Sequence, residues 1–211
     1  YGLLNNIYKL DKQQLPLMVQ RFVALAYKNI EAMSQNLQAV WPVLQPQQVT
    51  LDYDKSKPIL ALCPGAAFGP AKMWPLKHFA AVANKKIQDG WQVWIFGSTK
   101  DIPLATAING YTNNQCISYA GAVDLAQAID LLALSAHVVT NDSGLMHIAA
   151  ALGLSISALY GATSSAFTPP LSNTAKIFNL NLSCSPCFKR TCPLQHHNCM
   201  EQLLPETVCE F

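Results

Sequence analysis

Asn141, Asp142, Ser143 and Gly144, with His147 one helical turn further on, form the densest run of chemically capable groups in this 211-residue chain. The run follows His137 to Thr140, which has the character of a short buried strand. It precedes Leu145, Ile148, Ala149 and Leu152, apolar residues at helical offsets of three and four. A strand that feeds a helix through cap-type residues presents free backbone amides and the positive end of the helix dipole, which suits a phosphate or nucleotide. Asp142 or Ser143 would be the N-cap, Gly144 would let a ligand approach the backbone, and His147 would face the same mouth. The same residues would also cap a helix that binds nothing, so the run alone leaves both readings open. A serine-hydrolase triad is disfavoured, because Asp142 and Ser143 are sequence neighbours and the G-x-S-x-G elbow is absent.

Two further loops carry polar groups: Pro64 to Pro75, which contains Lys72, and Gly97 to Asp101, which contains Ser98 and Thr99. The first has the wrong spacing for a P-loop and neither matches G-x-G-x-x-G, which disfavours a dinucleotide oxidoreductase. Lys72 would neutralise a diphosphate or simply be solvated, and Ser98 and Thr99 are ligand donors or turn formers. Cys184, Cys187, Cys192 and Cys199, with His196 and His197, make a second unusual cluster. Cys-x2-Cys is a metal-ligand spacing, yet the second close pair of a zinc ribbon is missing. The cluster therefore reads as reduced thiols in a packed loop, with no metal ligand assigned.

Alternating elements must position these groups. The pattern predicts strands over 59–63, 92–96, 115–119, 137–140, 155–160 and 176–180, and helices over 76–88, 101–109, 124–135 and 144–152. Short buried strands alternating with helices specify an α/β fold, a Rossmann-like, doubly wound and mostly parallel sheet whose strand-end loops gather on one edge. Upstream, Asp11 and Gln14 have capping-box spacing, and Leu15, Met18, Val19, Phe22 and Leu25 follow at helical spacing, predicting a helix to about Gln35. Residues 41–58 hold three prolines and read as a linker with one short strand at Val49 to Tyr53. The expected division is 1–57, the end of one domain plus linker, and 58–211, the ligand-binding domain.

Charged residues are 12% of the chain and hydrophobic ones 51%, with a net charge of +2, so it is globular and has no basic surface of the nucleic-acid-binding kind. No run is apolar enough to span a membrane and no secretory signal is visible, which points to the cytoplasm. The start at Tyr1 and the isolated first helix suggest a fragment of a larger protein.

CPGAAFGPAKMWP at 63–75, FGSTKD at 96–101, TNDSGLMHIAAALG at 140–153, LYGATSSAFTPPL at 159–171 and CSPCFKRTCPL at 184–194 together resemble the ADP-heptose:lipopolysaccharide heptosyltransferases. The resemblance is strongest to the heptosyltransferase II branch and extends to YGLLNNIYKLDK and LPLMVQRFVALAY near the start. It implies the C-terminal, donor-binding half of a GT-B glycosyltransferase. The donor would be ADP-L-glycero-D-manno-heptose and the acceptor the heptosylated Kdo-lipid A of the lipopolysaccharide inner core. Transfer would invert the anomeric centre, with no metal and no cofactor, in the cytoplasm, leaving open a peripheral position on the inner face of the inner membrane. Lys72, in the K-x-W-P position, and the amides of Ser143 and Gly144 would meet the diphosphate, with His147 aimed at the same group. Asp142 would hold sugar hydroxyls or cap the helix. Ser98, Thr99 and Val123, the last in the Gly121-Ala122-Val123 turn, would line the adenosine side. Heptosyltransferase I relatives carry a Thr-Thr pair where this chain has Ala67 and Phe68, so its phosphate contacts would differ. The family's general base would lie in the N-terminal domain, leaving the fragment alone inactive. The alternatives are a non-catalytic nucleotide- or phosphate-binding module of the same half-fold and a zinc-dependent interaction domain.

Overall fold

A computed structural model describes residues 9–27 and 41–211. The chain divides into two compact units, Tyr1–Trp41 with Ser164–Pro169, and Pro42–Thr163 with Pro170–Phe211.

In the first unit the helix α1 spans Met18–Ala24, starting later than the capping-box spacing predicts. Asp11 does accept bonds from the amides of Gln13 and Gln14, at 2.8 and 3.2 Å, and Leu15 N–H reaches Asp11 C=O at 3.0 Å. One helical turn therefore forms. Pro16 then ends it, because its ring clashes with the preceding turn and it has no N–H to donate. The chain restarts at Leu17, whose amide donates to Gln20 Oε1 at 2.9 Å. The helix ends at Ala24, short of the expected Gln35, and residues 28–40 lie outside the described part. Arg21 stacks over Phe167 at 4.5 Å and donates to Leu15 C=O at 2.9 Å.

The second unit is built on six strands: β1 (Ile59–Cys63), β2 (Gln92–Ile95), β3 (Ile117–Ser118), β4 (His137–Asn141), β5 (Ser155–Leu159) and β6 (Ala175–Phe178). Their order is β3-β2-β1-β4-β5-β6 and every pairing is parallel. The helices are α2 (Leu76–Gln88), α3 (Ile102–Tyr111), α4 (Leu125–Leu132), α5 (Gly144–Ala151), α6 (Asn198–Glu201) and α7 (Pro205–Val208). The predicted alternation is thus reproduced, with strand and helix ends shifted by a residue or a few. The strand expected at Val49 to Tyr53 does not form. Its side chains pack into a core cluster as irregular chain instead, with Tyr53 edge-on to Trp94 at 5.6 Å.

Each central strand is buried on both faces, as a sheet covered by helices requires. Along β1, Leu60 and Leu62 enter one core with Phe79, Val93, Ile95 and Ile108. Ile59, Ala61 and Cys63 enter the other, with Trp94, Leu132, Val138 and Met146. This period of two is the pleat of the strand. It separates the two cores and leaves the strand ends as the place where polar loops meet.

Candidate functional site

The order of the sheet fixes where a ligand fits. The chain runs outward from β1 through β2 to β3, then returns to place β4 on the other side of β1. The loops after β1 and β4 therefore diverge, opening the crevice at which doubly wound sheets bind their ligands.

Asn141, the last residue of β4, holds the two sides of this crevice in register. It is fully buried, and its Nδ2 donates to Pro64 C=O at 2.7 Å while its Oδ1 accepts from Trp74 N–H at 3.0 Å. One amide thus fixes both ends of the loop that carries Lys72. Trp74 is itself buried, with Nε1–H bonded to Leu203 C=O at 2.8 Å and its ring edge-on to Phe79.

Between those anchors, Pro70–Lys72 forms a 3-10 turn. It brings Lys72 Nζ to 2.6 Å from Asp142 Oδ2 and 3.3 Å from Asp142 C=O. The two side chains are 14% and 4% exposed, so the pair is largely withdrawn from water. Thr163 Oγ1 donates to the same carboxylate oxygen at 2.5 Å. Lys72 also lies 5.2 Å from the centre of the Phe68 ring, where Arg190 lies at 5.5 Å. Phe68 is therefore a platform shared by two cations.

Asp142 is not the helix cap. Ser143 is the N-cap of α5, in extended conformation, and makes no side-chain cap bond. The first-turn amides of α5 are left to solvent or to an anion. A Cβ placed on Gly144 would meet nothing within 4 Å, so the approach to those amides is open. His147 is exposed as a residue, but its ring is crowded by protein and is held below the ordinary histidine pKa. Desolvation is the main cause. Asp142 opposes it and Lys72 adds to it, which places all three groups within one another's field.

Ser98 and Thr99 belong to a second cluster. A cavity of about 710 Å³ is lined by Gly65 to Ala67, Gly97 to Asp101, the Gly121 to Leu125 turn and the start of α5. Ser98, Thr99, Val123, Ser143 and Gly144 all line it, whereas Lys72, Asp142 and His147 do not. The predicted residues thus divide into a roomy recess and an ion-pair group, joined at the Asp142-Ser143 bond. Ser98 spends its hydroxyl and its amide on Asp101 Oδ2, both at 2.7 Å, and so acts here as a turn former.

Asp101 and Thr163 are site residues to which reading the sequence assigned no role, and Asn141 stands in the polar run without the bridging role the fold gives it. Asp101 reaches across two strand ends, and a Cβ on Gly65 or Gly97 would come within 2.6 Å of it. Paired glycines after consecutive strands were the signal for such a close approach. Nothing in the sequence pointed to Thr163, because its partner lies across the sheet edge.

The chain matches the family model described as glycosyltransferase family 9 (heptosyltransferase) over residues 1–198. It is 41% identical over 224 residues to lipopolysaccharide heptosyltransferase 2 of Escherichia coli K12, covering 100% of this chain and 64% of that protein. It is 41% identical over 196 residues to lipooligosaccharide heptosyltransferase 2 of Haemophilus influenzae, covering 85% and 56%. The solved structure of E. coli ADP-heptose lps heptosyltransferase II superimposes with a TM-score of 0.77 at 39% identity, over 100% of this chain and 65% of that one. The chain therefore spans 56 to 65% of these relatives' length.

Proposed function

The chain belongs to glycosyltransferase family 9, the heptosyltransferases, and from that premise we propose that it supplies the donor site of an enzyme moving heptose from ADP-L-glycero-D-manno-heptose to the lipopolysaccharide inner core. In this reading residues 58–211 form the donor domain. Residues 1–57 are the end of the acceptor domain plus the linker. The observation that carries it is the Lys72–Asp142 pair beside the open N-terminus of α5, at the edge of a recess large enough for a nucleoside.

The chemistry follows from where charge develops. As the bond from the anomeric carbon to the diphosphate breaks, negative charge grows on the leaving ADP and must be met by donors already in place. Lys72 supplies a cation and the Ser143 and Gly144 amides supply oriented dipoles. An arriving diphosphate competes with Asp142 for Lys72, freeing the carboxylate to accept hydrogen bonds from heptose hydroxyls. His147, uncharged at neutral pH, serves as a hydrogen-bonding group toward the phosphates. The adenosine occupies the recess lined by Ser98, Thr99 and Val123, with Asp101 as an acceptor for ribose hydroxyls.

The acceptor, the heptosylated Kdo-lipid A, and the base that deprotonates its hydroxyl are assigned to the other domain. Attack from the face opposite the departing ADP inverts the anomeric centre, and closure of the two domains keeps water out. No helix among the described residues is long and apolar enough to cross a membrane. We assign the enzyme to the cytoplasm, working at the inner face of the inner membrane where such an acceptor is reached.

The test is heptose transfer from ADP-heptose to a heptose-deficient lipopolysaccharide by the intact protein and by the polypeptide starting at Tyr1. Transfer by the intact protein alone is expected. Absence of transfer by both would favour a non-catalytic nucleotide-binding role, and full activity of the shorter chain would place the base within these residues.

A further inference from the structure

We propose that the guanidinium of Arg190 is a second cation for the diphosphate, held beside Lys72 by the ring of Phe68 and directed at the phosphate that carries the sugar. The proposal rests on the donor-site reading and assigns a group that this reading leaves unused. Arg190 stands far along the chain from Lys72, yet the fold brings its backbone against the Lys72 turn. Ala71 N–H donates to Arg190 C=O at 3.0 Å, and His197 Nε2 lies 3.0 Å from Ala71 C=O, so one segment holds both backbone polar groups of the residue before Lys72. A Cβ on Gly69 would come within 2.6 Å of the Arg190 carbonyl oxygen and 3.1 Å of Arg190 Cβ, so the absence of a side chain there is what lets the two stretches lie together. Phe188 N–H donates to Ala162 C=O at 2.7 Å, which ties the same segment to the loop leading to Thr163. These contacts fix the point from which the Arg190 side chain starts.

Where the side chain ends is more informative. Arg190 Cζ lies 5.5 Å from the centre of the Phe68 ring, and Lys72 Nζ lies 5.2 Å from the same centre. Lys72 is matched by Asp142 at 2.6 Å. Arg190 is exposed and makes no ion pair among the described residues. A guanidinium stays charged at any pH the protein meets, and a ring face attracts that charge without cancelling it. Two cations gathered on one apolar ring repel each other, and an anion beside them converts the arrangement into a favourable one.

The order of groups along the crevice identifies the anion. The nucleoside recess is lined by Gly65 to Ala67 and by Ser143 and Gly144, whereas Phe68, Lys72 and Arg190 stand outside it. A nucleotide seated in the recess would place its first phosphate at the α5 amides and extend its second toward Lys72 and Arg190. On transfer, the electron pair of the bond to the anomeric carbon stays on an oxygen of that second phosphate, while the acceptor oxygen bonds to the carbon and its proton passes to the base. The phosphate nearest the sugar thus gains charge as the bond breaks. Lys72, already shared with Asp142, does not match it alone. The planar fork of Arg190 can donate two parallel N–H bonds to it, with Phe68 as the positioning residue.

The test is calorimetric titration of the intact protein with ADP and with AMP, which lacks the second phosphate. Arg190→Gln should weaken ADP binding about tenfold and leave AMP within about twofold, because only the longer nucleotide reaches the guanidinium. Arg190→Lys, which keeps the charge and loses the fork, should recover part of the loss. Phe68→Leu, which removes the ring and keeps both cations, should weaken ADP about threefold with AMP again unchanged. In heptose transfer Arg190→Gln should lower kcat about tenfold. Its urea midpoint should match the wild type, since the side chain is exposed. Equal ADP affinity in wild type and Arg190→Gln would overturn the proposal and leave the donor site standing without Arg190. An equal loss of ADP and AMP binding, with or without a lower urea midpoint, would overturn it as well. Wild-type protein that binds neither nucleotide would remove the donor-site reading itself.

Discussion

Replacing Lys72 by methionine should damage both folding and catalysis, and the two losses can be separated. A loop lysine read from sequence alone predicts lost turnover with little lost stability. The structure changes that expectation, because Asp142 is only 4% exposed and loses a cation 2.6 Å away while keeping the Thr163 hydroxyl as a donor. Breaking a buried pair from one side costs about 3–5 kcal/mol. The Thr163 bond and the 14% exposure of Lys72 argue for the lower end, about 3 kcal/mol. For a domain of this size that lowers Tm by roughly 6–12 °C. Adding Asp142→Asn to the same chain removes the stranded charge and should restore about 2 kcal/mol of stability. Turnover should stay low in both variants, down about 10²- to 10³-fold, because the cation proposed to face the leaving diphosphate is absent in each. The assays are urea unfolding followed by heptose transfer on the same samples. A single variant that unfolds with the wild type would show that the pair contributes nothing. A double variant that recovers turnover along with stability would show that Lys72 serves only the fold.

Two other perturbations follow from the packing. His137 is buried, bonded to Ser157 Oγ at 2.9 Å and stacked on Phe211 at 3.6 Å, and burial, with the nearby Lys86 charge adding to it, lowers its pKa to about 4. Since the unfolded chain takes up this proton near pH 6.5, stability contributed by the neutral ring is complete above that pH and is lost as pH falls toward 4, by roughly 3 kcal/mol in all and about 2 kcal/mol by pH 5. Urea midpoints at pH 7 and 5 should show this loss in the wild type and a much smaller one in His137→Gln. Gly69 has φ of 151°, and a Cβ there would come within 2.6 Å of Arg190 C=O, so Gly69→Ala should displace the Lys72 turn and cost about 1–3 kcal/mol. Unchanged stability and donor KM in that variant would show that the turn adapts freely.

The course of the sheet was legible because β1, β4 and β5 are short apolar runs bounded by loop residues, a pattern that follows from burial on both faces. The polar junction after β4 was equally plain, since capping residues and a glycine stand between a strand and a helical period. What it does was not. Sequence offered Asp142 as a cap or a sugar ligand, and only the parallel pairing of β1 with β4 shows it paired with Lys72, 70 positions away. The bridging role of Asn141, which opens that junction, was hidden for the same reason, because both of its partners lie in a loop far along the chain. The late start of α1 was readable in principle from Pro16, whose missing N–H outweighs the capping signal at Asp11.

Calorimetric titration of the 211-residue chain with ADP, UDP and NAD bears most directly on the donor site. The loops after β1, β2 and β4 belong to one sheet edge, so the proposed site should bind in this chain by itself. ADP should bind at least about tenfold more tightly than UDP or NAD, a difference of about 1.4 kcal/mol, and Lys72→Met should weaken it by a similar factor. Equal affinity for all three, or no heat with any of them in a folded chain, would contradict the assignment of this edge to an ADP-linked donor.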